Sequence, residues 1–119
     1  MKTLLIADDN ERIRYLVKSF FYEFKVHEVS DGAEVVDKIV EIQPDLVVLD
    51  FMMPKMNGLE AARKLRQMKV EVPIILFTMH ADSVPRSEVS PRGINAIVMK
   101  PNLMELQKHV ESLLARLNQ

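Results

Sequence analysis

The chain has 119 residues, 48% of them hydrophobic, which is enough for one continuous core without covalent cross-links. Its 16 Lys and Arg against 17 Asp and Glu leave a formal net charge of -1, which speaks against a nucleic-acid domain with a basic face and against a disordered chain. There is no cysteine, so disulfides, thiol catalysis and thiolate metal sites are excluded.

The first apolar run, Leu4 to Ala7, stops at Asp8 and Asp9. It is too short for the apolar centre of a signal peptide or for a span of roughly 20 residues. The expectation is a cytoplasmic, single-domain chain over residues 1–119 with no membrane contact. Ile13, Leu16, Val17, Phe20 and Phe24 then recur on one helical stripe. Val26 to Val29 is a weaker apolar run broken by His27 and Glu28, as expected of an edge strand. Ala33, Val36, Ile39 and Val40 form the next helical stripe, with Asp31 placed to cap it.

After Pro44, Leu46 to Leu49 is a short, wholly apolar run. Asn57 opens the helical stripe Leu59, Ala62, Leu65, and after Pro73 comes the run Ile74 to Phe77. Residues 80–93 hold Pro85 and Pro91 with Ser83, Ser87 and Ser90, so the helix in this slot is expected to be short or distorted and locally weak. Ala96 to Met99 is the last run. Asn102 precedes the long stripe Leu103, Leu106, Val110, Leu113, Leu114, Leu117. Continuous apolar runs of this length suit strands buried on both faces. Their alternation with helices, under the right-handed crossover rule, predicts an α/β fold with a doubly wound five-stranded parallel sheet and helices on both faces.

In an open parallel sheet, functional residues gather at the carboxyl ends of the strands. Here polar residues appear where apolar runs stop: Asp8-Asp9, Asp50, Thr78 and Lys100-Pro101. Each alone has a plain reading. Asp8 with Glu11 is spaced as a capping box, Asp50 caps a loop, Thr78 is a strand-end hydroxyl, and Lys100-Pro101 is a turn. Together they supply what a phosphoryl group needs. Carboxylates about 4 Å apart repel by roughly 4 kcal/mol at an effective dielectric near 20, so the cluster calls for raised pKa values or a cation. Mg²⁺ with oxygen ligands meets that need, and Lys100 adds a fixed positive charge on the far side.

This order and spacing resembles the receiver domain of two-component response regulators, over essentially the whole chain. The residues that carry the likeness are Asp8-Asp9, the segment Asp50-Phe51-Met52-Met53-Pro54-Lys55-Met56-Asn57-Gly58, Thr78 and Lys100-Pro101. The resemblance implies the CheY-like, flavodoxin-like strand order 2-1-3-4-5. It implies Asp50 as phosphoacceptor and Mg²⁺ held by Asp9, Asp50 and the backbone carbonyl of Met52, with Asp8 acting through a metal-bound water. Lys100 would pair with the acceptor or its phosphoryl oxygens, and Thr78 would turn its hydroxyl onto a phosphoryl oxygen. It further implies a cis Lys100-Pro101 bond and a Gly58 that permits the turn into the following helix. The partners implied are a sensor histidine kinase or phosphotransfer protein and a downstream protein or output domain, with dimerisation possible and no direct nucleic-acid binding.

Three positions depart from the family pattern. Ile97 stands where an aromatic residue is customary, Met79 where a small residue follows the switch threonine, and the fourth helical slot carries prolines. Met52 and His80 are expected to border the path of an attacking water, with Met52 slowing hydrolysis. The remaining features read as structure: Met52, Met53 and Met56 as loop packing, and Arg63, Lys64, Arg66 and Lys69 as a solvated helix face. His27 and His109 lack a ligand partner at a suitable spacing.

Other functions fit less well. A haloacid-dehalogenase-type phosphohydrolase wants an acid/base Asp two residues after its nucleophile, where this chain has Met52. A flavodoxin-like cofactor site wants phosphate-cradling donors after the first strand, where Asp8-Asp9-Asn10 would repel. A receiver fold used only for docking, without phosphorylation, is the closest rival.

Overall fold

The computed structural model describes residues 1–117; Asn118 and Gln119 lie outside the described residues. Strands β1 (Thr3–Ala7), β2 (Lys25–Val29), β3 (Leu46–Leu49), β4 (Ile74–Thr78) and β5 (Ala96–Met99) form one parallel sheet in the order β2-β1-β3-β4-β5. Helices α1 (Glu11–Phe20), α2 (Gly32–Ile42), α3 (Gly58–Gln67) and α4 (Leu103–Leu117) flank it. Among the described residues no helix is long and apolar enough to cross a membrane.

Successive strand residues point to opposite faces, and both faces here are apolar. Leu4, Ile6, Val48, Ile75, Phe77 and Val98 pack with Val17 and Phe21 of the α1 region and with Leu106 and Val110 of α4. Leu5, Ala7, Val47, Leu49 and Leu76 face the other way, onto Val35 and Ile39 of α2 and Ala61 and Leu65 of α3. Burying each of these larger side chains contributes about 1.5–3 kcal/mol. As the sequence predicts, β2 is an edge strand, and four of its five residues remain at least partly exposed.

The expected caps form at Asp31, Asn57 and Asn102, each accepting from the backbone N–H three residues on. The first helix differs. Its cap is Asn10, which accepts from the N–H groups of Arg12 and Ile13, so Asp8 is free for another task.

Between β4 and β5 the prolines have their effect. The slot holds two three-residue 3₁₀ turns, Ala81–Ser83 and Arg86–Glu88, in place of an α-helix. Val84 and Ile94 plug the core beneath them. Arg66, read from the sequence as part of a solvated face, instead anchors this segment. It donates to the Gly93 carbonyl at 2.8 Å and the Val70 carbonyl at 2.7 Å. Burial lowers its pKa, against the opposing charge of Glu71. Arg63 on the same helix pairs with Glu88.

Arg66→Ala is expected to cost about 2 kcal/mol, from the loss of charge-assisted bonds to backbone carbonyls. Denaturant unfolding measures that loss, and hydrogen exchange should rise first in residues 79–95. Unchanged exchange there would refute the anchoring role.

Candidate functional site

The winding of the sheet reverses between β1 and β3, which opens a crevice at their carboxyl ends. The hydrogen-bond ladder continues past the strands and fixes the backbone there. Asp8 N–H donates to the Val29 carbonyl at 3.1 Å, Asp50 N–H to the Ala7 carbonyl at 2.9 Å, and Lys100 N–H to the Thr78 carbonyl at 3.1 Å. Asp8, Asp50 and Thr78 are buried, while Asp9 is exposed.

These backbones bring three acids together. Carboxylate oxygens of Asp8, Asp9 and Asp50 lie within 4.8 Å of one another. The ammonium of Lys100 reaches two members of the cluster, the acceptor candidate Asp50 among them. Lys100 Nζ is 2.5 Å from Asp8 Oδ2 and 3.1 Å from Asp50 Oδ2, with 7% of its side chain exposed. The bond from Lys100 to Pro101 is cis, in line with the resemblance.

Asp8 carries the heaviest electrostatic load. Its Oδ1 accepts the Asn10 N–H at 2.9 Å. Its Oδ2 is buried and pairs with the Lys100 ammonium at 2.5 Å. Burial raises the Asp8 pKa; Lys100 and the Asn10 N–H pull it down, and the Asp50 charge pushes it up. Burial wins. Arg14, which the sequence did not single out, donates to the Asp8 carbonyl at 2.7 Å and pairs with Glu28 at 3.2 Å. Arg14 lies off the apolar stripe of α1, so helical periodicity gave it no distinguishing mark.

Thr78 sits at the end of the neighbouring strand, its hydroxyl oxygen accepting the His80 N–H at 3.1 Å. Met52 lies in the loop that follows Asp50 and is 54% exposed as a residue, whereas Met53 and Met56 pack on the core. At Gly58, the first residue of α3, the requirement is a close backbone approach. Its φ is not positive; a Cβ there would run into the Asp50 carbonyl oxygen. Among the described residues, positive φ falls on Gln43, Lys55 and Lys69. His109 makes only a loose contact, 3.9 Å, with Glu105.

The three clustered side chains offer only carboxylate oxygens, a donor chemistry that fits a hard divalent cation such as Mg²⁺.

Residues 4–111 match the sequence model of the response regulator receiver domain. The chain is 35% identical over 116 residues to the transcriptional regulatory protein SrrA of Staphylococcus aureus, covering 95% of this chain and 48% of that protein. It thus spans about half the length of the curated relatives it matches. Among solved structures, the response regulator TrrA of Thermotoga maritima, in complex with Mg²⁺-BeF, superposes with a TM-score of 0.84 at 34% identity, covering 95% of this chain and 99% of that one. The receiver domain of the Francisella response regulator 1452 superposes with a TM-score of 0.85 at 26% identity, covering 98% of each chain.

Because burial outweighs Lys100 at Asp8, folding makes the ionised form of that side chain less favourable than it is in the unfolded chain. Asp8→Asn is therefore expected to raise the melting temperature of the metal-free protein by a few degrees at neutral pH. The gain should shrink as the pH is lowered through the raised pKa, where wild-type Asp8 itself takes up a proton. Thermal melts of both proteins in chelator test this, and a destabilised variant would contradict it.

Proposed function

We propose that this chain, which belongs to the response regulator receiver domain family, is switched by a phosphoryl group accepted on Asp50 from the phosphohistidine of a sensor histidine kinase or phosphotransfer protein. Receiver domains are phosphorylation switches in two-component signalling rather than classical enzymes. The carrying observation is the convergence of Asp8, Asp9 and Asp50 on one point, with Lys100 bridging Asp8 and Asp50.

In this reading an Asp50 oxygen attacks phosphorus, an O–P bond forms and the P–N bond to the donor imidazole breaks. The imidazole leaves with that electron pair and takes up a proton. Asp9, Asp50 and the Met52 carbonyl would hold Mg²⁺, and Asp8 would act on it through a water. When bound, the ion supplies positive charge to the phosphoryl oxygens. Lys100 supplies the rest from a side chain that burial keeps in place. Thr78 has its oxygen anchored by the His80 N–H and its own proton available. Turning that hydroxyl onto a phosphoryl oxygen shifts the chain beyond β4. The added charge of roughly −1.5 to −2 thereby selects one conformer.

Output runs through a partner protein or a further domain. SrrA is named a transcriptional regulatory protein, and this chain corresponds to about half of it. Transcriptional output is one form that such control takes. The exposed Met79, the partly buried Ile97 and the 3₁₀ turns give this chain a different surface beyond β4 from the customary one.

Incubation with a small-molecule phosphodonor and Mg²⁺, followed by intact mass measurement, should add one phosphoryl group to wild type. Asp50→Asn and chelator should each abolish the addition. Wild-type protein that never gains the mass would leave the fold as a docking module. Once phosphorylated, Met52→Asn should lose its phosphoryl group several-fold faster than wild type, since a half-exposed thioether would give way to a group that can orient water. Equal lifetimes would remove Met52 from that role.

A further inference from the structure

The loop between Asp50 and α3 contains an unusual piece of backbone. Lys55 has φ 67°, in the left-handed region, and the Met56 N–H donates to the Pro54 carbonyl at 2.7 Å. A hydrogen bond spanning one residue with positive φ is a γ-turn of the rare, strained kind. Strain of this sort persists only where the surroundings over-determine it.

Part of the restraint lies at the ends of the loop. Gly58 N–H donates to the Phe51 carbonyl at 2.9 Å, and Asn57 and Glu60 close a capping box at the start of α3. A loop fixed only at its ends can still pivot about them. The third point of support comes from α2, which contributes no residue to the acid cluster. Gly32, its first residue, lies so close to Met56 that a Cβ would run into the Met56 carbonyl oxygen, with the carbonyl carbon at 2.9 Å and the Met56 Cβ at 3.0 Å. Beside it the buried Asp31 uses one oxygen to cap α2, accepting Glu34 N–H at 2.8 Å, and places the other 3.7 Å from Lys55 Nζ.

We infer that the Asp31-Gly32 step is the seat of the Asp50–α3 loop, and that Asp31, Gly32 and Lys55 are positioning residues for the metal site. This rests on the reading above, in which the Met52 carbonyl is a Mg²⁺ ligand. With residue 56 seated on Gly32 and residue 51 tied to Gly58, the intervening residues have one path, which sets where the carbonyl of residue 52 is presented. The two supports are unequal. Lys55 is 71% exposed along its side chain, so its ion pair is weak, and the close approach at Gly32 bears most of the restraint.

Mg²⁺ binding, measured by calorimetry on the whole chain, tests this with three variants. Gly32→Ala should weaken Mg²⁺ affinity by about tenfold or more, as loss of an outer support does at other metal sites. Ile39→Val, buried on the same helix but away from the loop, should lower the melting temperature and leave the affinity alone. Lys55→Met separates position from charge. Removing a cation near an acidic site tightens Mg²⁺ binding if only electrostatics matters, whereas loss of the seat weakens it, by about two- to threefold for so exposed a pair. If Gly32→Ala does not fold, the direction of the Lys55→Met change decides. Wild-type affinity in Gly32→Ala, or tighter binding in Lys55→Met, overturns the seat while leaving the proposed function intact. A wild-type chain that binds no Mg²⁺ overturns both.

Discussion

Like charge is crowded at one end of this sheet, and the rest of the structure depends on how that crowding is contained. Two carboxylates about 4 Å apart repel by roughly 4 kcal/mol at an effective dielectric near 20, and here a third joins them. Lys100 neutralises one charge of the three, so the cluster stays acidic. The acids cannot splay apart because their backbones belong to the sheet ladder, which runs through the N–H groups of Asp8 and Asp50. That ladder is stiff because β1 and β3 are central strands with apolar residues packed on both faces.

The same crowding divides the labour among chemically identical side chains. Asp8 lies deepest and takes Lys100, the Asn10 N–H and, through its carbonyl, Arg14. Asp9, one residue on, is exposed to solvent while its carboxylate stays within 4.8 Å of those of Asp8 and Asp50. Asp50 is buried beneath the mouth of the crevice with Lys100 on one flank. A pair of adjacent aspartates just past the end of β1 therefore offers one buried and one exposed carboxylate to the same cluster.

Much of this was legible in the residue order, because strands buried on both faces and amphipathic helices leave different periodicities. Leu46 to Leu49 is read as a strand without ambiguity, and the polar residue that ends each run marks its carboxyl end. Caps at Asp31, Asn57 and Asn102 were equally plain, since a side chain bonding three residues ahead is a local event. What escaped depends on contacts between distant parts of the chain. Arg66 looks like any exposed helix cation until Gly93 and Val70 present carbonyls to it. Gly58 and Gly32 look like turn formers, yet neither has positive φ. Each is needed because another stretch of backbone passes where a Cβ would stand. The left-handed residue in the loop is Lys55, a position that no local preference marks.

The crevice has one stiff wall and one soft one. On the stiff side the acids are held by central strands. On the other, the chain leaving Thr78 enters two 3₁₀ turns, closed by bonds such as Ser83 N–H to the His80 carbonyl at 2.9 Å and Glu88 N–H to the Pro85 carbonyl at 3.0 Å. Such turns lack the cooperative ladder of an α-helix, so they deform piecewise where a helix would tilt as a rod. Thr78 holds the near end of this segment through the His80 N–H, and Arg66 and Arg63 pin its far end to α3. In the proposed switch, a Thr78 hydroxyl turning toward the acids would pull on this short segment, whose far end is tied to α3 through Glu88 and Gly93, so the yielding would fall mainly on residues 79–87.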